Sequence, residues 1–191
     1  MTFPEWDTEL FLRLNGAHSD LLDPLMTLLS SSRAWIPLYL LIVFFMIRKE
    51  GWYGLICIAL MLLSFGLADR LSVILFKENF QRLRPCYVEE LQGIVRSLEA
   101  CGGRYGFVSN HAANTFCLAT FVSMLFRNRG CTLSIFIWAT AVSYSRIYVG
   151  KHYPLDVICG AAFGSLCGFA GFAVYLPIVC LIKKKLQQKN E

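Results

Sequence analysis

Three short stretches of this sequence hold residues able to grip an anion and move a proton. The first is Lys77-Glu-Asn-Phe-Gln-Arg-Leu-Arg84-Pro85. Lys77 and Arg84 lie two helical turns apart, so on a continuing helix both heads point the same way. Two fixed cations aimed at one point suit a dianionic or trianionic group, and an arginine can hold two oxygens at once. Taken alone, the pair also reads as cations snorkelling at the end of a membrane span. The second stretch is Ser109-Asn110-His111. Serine is a favoured N-cap, and the free N–H groups of a first helical turn favour an anion. A histidine there can donate a proton or hold a phosphate oxygen. The third runs from Ser145-Arg146 through His152 and Pro154 to Asp156. Pro154 suits the first turn of a helix, which puts His152 at the helix entry and Asp156 one turn inside. The carboxylate can keep one imidazole nitrogen protonated and leave the other free to attack, and Arg146 adds a further cation. The chain has three histidines, and the one outside these stretches, His18, reads as an exposed loop residue.

The elements that must carry these residues are dictated by composition. Of 191 residues 56% are hydrophobic and 16% charged, and the mean hydropathy is +0.52. Soluble domains carry nearer a quarter charged residues, so disorder and a soluble nucleic-acid binder are excluded despite the net charge of +5. A helix needs about 20 apolar residues to cross a hydrocarbon core of ~30 Å. Five segments qualify: Ala34–Ile47, starting near Ser30; Trp52–Phe76; Ser109–Phe126; Cys131–Tyr148; and Leu155–Ile182. The runs are continuous rather than alternating, which predicts helices. Asp20–Leu29 is short and contains Pro24, and it reads as an interfacial or re-entrant helix rather than a sixth span. The fold class expected is therefore all-α, a polytopic membrane bundle of five to six transmembrane helices in one domain, 1–191, with residues 1–32 as an N-terminal interfacial segment. The N-terminus opens on Glu5, Asp7 and Glu9 instead of a basic region and does not read as a signal peptide.

Orientation follows the basic residues of the short loops. Arg48 and Lys49, Arg127 and Arg129, and Lys183 to Lys185 fall on one side of five alternating spans, which is expected to be cytoplasmic. All three reactive stretches then meet at the opposite, non-cytoplasmic face. Gly160, Gly164 and Gly168 predict close helix packing. Arg70 is expected to pair with Asp69 or a neighbouring helix. Six cysteines in or beside spans read as small apolar side chains. Cys86 and Cys101, both in the outer loop, could form a disulfide if that loop is periplasmic.

Taken together, Lys77…Arg84-Pro85, Ser109-x-His111 and Ser145-Arg146…His152…Asp156 resemble the tripartite signature of the type 2 phosphatidic acid phosphatase superfamily, the lipid phosphate phosphatases. The first and third motifs match at every defining position. The second departs, with Val108 and Asn110 where the family has proline and glycine. The resemblance covers residues 69–169. It implies a metal-independent membrane phosphatase with no cofactor. His152 would be the nucleophile that becomes a phosphohistidine, Asp156 would orient it, and His111 would protonate the leaving oxygen. Lys77, Arg84, Ser109 and Arg146 would cradle the phosphoryl group. The implied partners are the bilayer and a phosphorylated lipid: undecaprenyl diphosphate, phosphatidic acid, phosphatidylglycerol phosphate or a lipid A phosphate. A bacterial inner membrane with the site facing the periplasm is the expected location. A lipid-to-lipid phosphotransferase using the same site, or an anion-binding membrane protein without turnover, are the competing readings. The His152–Asp156 pair argues against the second, because binding alone needs no such dyad.

Overall fold

The apolar runs become helices. The computed structural model describes residues 3–190. Two short helices come first, α1 (Glu5–Gly16) and α2 (Leu22–Ser30). Then follow α3 (Ile36–Glu50), α4 (Gly54–Leu71), α5 (Asn110–Phe126), α6 (Arg129–Tyr148) and α7 (Pro154–Asn190). The described residues form no strand, only an isolated antiparallel bridge between Leu83 and Tyr105. The nine residues of α2 rise about 14 Å, too little to cross a bilayer.

Two stretches are long and apolar enough to span a membrane, Ser32–Phe80 and Pro154–Gln188. The first is a hairpin in the structure. Gly51, at φ 58° and ψ −133°, ends α3, and Gly54 packs so closely that a β-carbon there would sit 2.9 Å from Ile47 Cα. Large apolar side chains on the outer faces remain open, among them Leu40 (64% exposed), Leu133 (64%) and Leu166 (67%). Patches of this kind are not left to water, and the molecule is an integral membrane protein.

The interior is held by a cluster from five helices: Met46 of α3, Met61 of α4, Phe121 of α5, Ala139 of α6 and Phe172 of α7 are all buried there. The most extensive helix pair is α5 with α7. Its cause is the small-residue seam the sequence predicted. A β-carbon at Gly160, Gly164 or Gly168 would run into the carbonyl oxygens of Ser109, Ala113 and Cys117 respectively. Backbone therefore touches backbone along this pair.

One expectation fails here. No single helix carries both Lys77 and Arg84. After Leu71 the chain continues as a π-helix, Ser72–Lys77, makes a last turn at Glu78–Phe80, and reverses at Gln81 in the left-handed region (φ 48°). Pro85 biases the residue before it away from helix, and Arg84 is extended at φ −68°, ψ 154°. Arg84 is brought to the site by the loop, where its N–H donates to the Arg104 carbonyl (3.1 Å) beside the Leu83–Tyr105 bridge. Farther along, Cys86 and Cys101 form a disulfide, with Cα atoms 6.3 Å apart.

Candidate active site

His152 lies in the turn between α6 and α7 and is 2% exposed. Its Nδ1 faces Asp156 Oδ2 at 3.4 Å, and its Nε2 faces Arg84 Nη1 at 3.4 Å. These contacts are long, as such bonds commonly are before a substrate tightens them. Burial pushes the His152 imidazole well below its ordinary value, and the nearby charges of Arg84, Arg146, Lys77 and His111 push the same way. Both effects favour the neutral ring, whose Nε2 lone pair can attack. Charges from all three stretches thus act on one imidazole, and Arg84 touches it.

Asp156 is fully buried and heavily engaged. Tyr153 N–H donates to its Oδ2 (3.1 Å) and Arg82 Nη1 to its Oδ1 (2.8 Å). Its own carbonyl accepts from Ser109 N–H (2.9 Å), which ties the second stretch to the third. Ser109 caps α5, its hydroxyl accepting from Ala112 N–H. Arg146, at the end of α6, reaches the Ser30 hydroxyl and carbonyl of α2 and lies 3.6 Å from Glu99. Glu99 also takes Lys151 Nζ at 2.6 Å. Burial alone would raise its carboxyl, but these cations outweigh it and hold the group below the usual range. Arg84 Nε and Arg146 Nε are both buried without a partner among the described residues. An unmade bond on a buried charged donor costs a few kcal/mol, so the pair points to an anion that would complete it.

His111 faces different surroundings. Its Nε2 lies 3.3 Å from the Ser32 hydroxyl, and it lines a cavity of about 240 Å³ with Asp69, Asn110, Asn114, Phe65 and Trp35. Trp35 also lines a larger apolar groove of about 620 Å³ between α3, α5 and α6. Trp35 thus borders both the cavity of His111 and a surface suited to a hydrocarbon chain.

The sequence did not single out two residues that hold the dyad. Arg82 bridges Asp156 and Asp7 (2.8 and 2.6 Å), with its guanidinium between the rings of Phe3 and Tyr153 at 4.0 and 3.8 Å. Asp7, from α1, is fully buried and also accepts from Leu155 N–H (2.8 Å), capping α7. The acidic N-terminus was a visible signal, but nothing in it named a partner. Arg70 does not pair with Asp69. It is exposed, and Asp69 instead accepts from Asn110 and Asn114. His18 is exposed, as expected, and touches Arg96.

Known proteins resemble this chain over most of its length. The chain is 37% identical to a lipid A 4'-phosphatase of Porphyromonas gingivalis over 174 residues, 90% of this chain and 74% of that one. A lipid A 4'-phosphatase of Bacteroides thetaiotaomicron is 36% identical, covering 88% of this chain and 75% of its own length. The crystal structure of LpxE from Aquifex aeolicus superposes with a TM-score of 0.68 at 26% identity, over 91% of this chain and 99% of that one. The model of the PAP2 superfamily matches residues 51–179, two thirds of the sequence, and the chain belongs to that superfamily.

Proposed function

We propose that this protein is an integral-membrane lipid phosphatase that cleaves a phosphate monoester or diphosphate through a phosphohistidine. His152 Nε2 attacks phosphorus, the N–P bond forms and the P–O bond to the lipid breaks. His111 gives its proton to the departing oxygen. Water then attacks the phosphohistidine, loses a proton to His111 and releases inorganic phosphate. Asp156 holds Nδ1–H and balances the imidazolium. Lys77, Arg84, Arg146 and the Ser109 end of α5 carry the phosphoryl charge, the main demand of such a transfer. In this reading the three cations do the work a metal does elsewhere.

The observation that carries the reading is His152 held between Asp156 and Arg84, with the Nε atoms of Arg84 and Arg146 buried and unpaired. The 37% identity to a lipid A 4'-phosphatase makes a lipid A phosphate the first candidate substrate, ahead of undecaprenyl diphosphate, phosphatidic acid and phosphatidylglycerol phosphate. The apolar groove that shares Trp35 with the cavity supports an amphiphile. We also take the chain as one domain, 1–191, crossing a bacterial inner membrane five times. Its basic clusters then face the cytoplasm and its site faces the periplasm.

The test is phosphate release from a panel of these lipids in detergent, with water as the only acceptor. Orthovanadate, which mimics five-coordinate phosphorus, should inhibit and EDTA should not. Activity lost in EDTA and restored by magnesium would overturn the assignment of roles. Transfer of phosphate to a second lipid without free phosphate would make the protein a phosphotransferase.

A further inference from the structure

Asn110 stands where the family motif has glycine, and the proposed chemistry gives it no task. The structure gives it a partner. Asp69 Oδ1 accepts from Asn110 Nδ2 (2.8 Å) and from Asn114 Nδ2 (3.0 Å). A carboxylate can only accept, so both amides must turn their NH₂ groups toward it. That leaves Asn110 Oδ1 and Asn114 Oδ1 buried without partners among the described residues. Both bonds fall on Oδ1, so Asp69 Oδ2 is left for another donor. All three residues line the cavity that holds His111, and the remaining wall is largely apolar, from Leu29, Trp35 and Phe65.

A tether between α4 and α5 would account for the Asp69–asparagine bonds alone. It would not account for a carboxylate opening on a cavity beside the residue read as the general acid. At about 240 Å³ the space is smaller than the ~300 Å³ at which pockets for whole drug-sized ligands begin, so it fits one ring rather than a lipid. Its polar lining is led by the Asp69 carboxylate, with the Ser32 and Tyr39 hydroxyls and His111 beside it. A leaving group that brings O–H and N–H donors satisfies the free Asp69 oxygen, whereas an ionised second phosphate brings none.

We propose that this cavity receives the leaving group, and that Asp69, held by Asn110 and Asn114, selects a phosphomonoester of a donor-bearing alcohol such as a sugar ring over a diphosphate. The proposal rests on the reading of His111 as the acid.

The experiment compares kcat/KM for an acylated glucosamine disaccharide phosphate, a prenyl diphosphate and p-nitrophenyl phosphate. In Asp69→Asn the ratio of glycolipid to aryl phosphate should fall about tenfold, and the ratio of diphosphate to glycolipid should rise by a similar factor. Asn110→Gly, which keeps the carboxylate and removes one of its anchors, should shift both ratios the same way by less. It also carries the test if Asp69→Asn does not fold. Parallel losses on all three substrates would reduce the trio to a tether, and unchanged ratios would equally overturn the subsite. Wild-type protein inert toward all three would overturn the phosphatase reading itself, and this proposal with it.

Discussion

The two histidines of the site are held in opposite ways. His152 is packed between Asp156 and Arg84, and behind Asp156 lies a buried relay through Arg82 to Asp7. His111 has one hydroxyl within reach and opens onto a cavity. The contrast fits two jobs. A nucleophile meets the same phosphoryl group in every turnover and gains from being fixed. An acid must meet an oxygen whose attached group is large and varied, so space beside it is needed.

The sharpest way to break this comparison is to remove each histidine. His152→Ala should lower turnover by about 10⁴-fold or more on every substrate, with binding retained because the cations are untouched. Wild-type protein given labelled substrate and quenched in alkaline detergent, where the N–P bond survives, should carry phosphate on His152, and an unlabelled protein would remove the nucleophile from the account. His111→Ala should cost roughly 10²–10⁴-fold on lipid alkoxides and far less on aryl phosphates, whose oxygen leaves without a proton. Equal losses on both would show that His111 binds phosphate rather than protonating the leaving group.

The relay behind His152 makes a prediction about stability. Asp7→Asn removes one carboxylate from a buried arginine, and breaking such a pair costs about 3–5 kcal/mol. Thermal unfolding in detergent should show the loss, whereas a change at exposed Glu9 should not. Reduction of Cys86–Cys101 should cost about 3 kcal/mol, from the entropy of opening a loop of 15 residues. Its effect on kcat should be smaller than that of Asp7→Asn, because the bridge braces the backbone beyond Pro85 and touches neither histidine.

The smallest effect expected is on pH dependence. The folded His152 takes up its proton below the ordinary 6.5, so the unfolded chain protonates first as pH falls. Stability from this group is complete above about pH 6.5 and declines below it, by at most about 1.4 kcal/mol per pH unit. Unfolding midpoints measured from pH 7.5 to 5 should drop more steeply for the wild type than for His152→Gln.

What the sequence yielded, and what it did not, follows from range. Ser109 as a cap, Pro154 as a helix start and the glycine seam are local patterns, readable from spacing alone. The convergence of the reactive stretches followed from helices that alternate in direction. Arg82 escaped because it looks like any loop cation until Asp7 and Asp156 are placed on either side of it, and those lie 75 and 74 residues away. Whether the helix continued from Lys77 to Arg84 could not be read, because nothing in Ser72–Lys77 marks a π-helix and the reversal at Gln81 lacks the usual glycine.

The bond from Leu155 to Asp7 also has a meaning in time. It joins residues 148 positions apart, and at a synthesis rate of about 5–20 residues per second the earlier one waits roughly 7–30 s for the later. Arg82 is made about halfway through that interval, and the helix end that Asp7 caps only at its close. The surroundings of the His152–Asp156 pair are thus completed by the meeting of α1 with α7. A chain that stops before Asp156 has the residues of the first two stretches and no His152–Asp156 dyad.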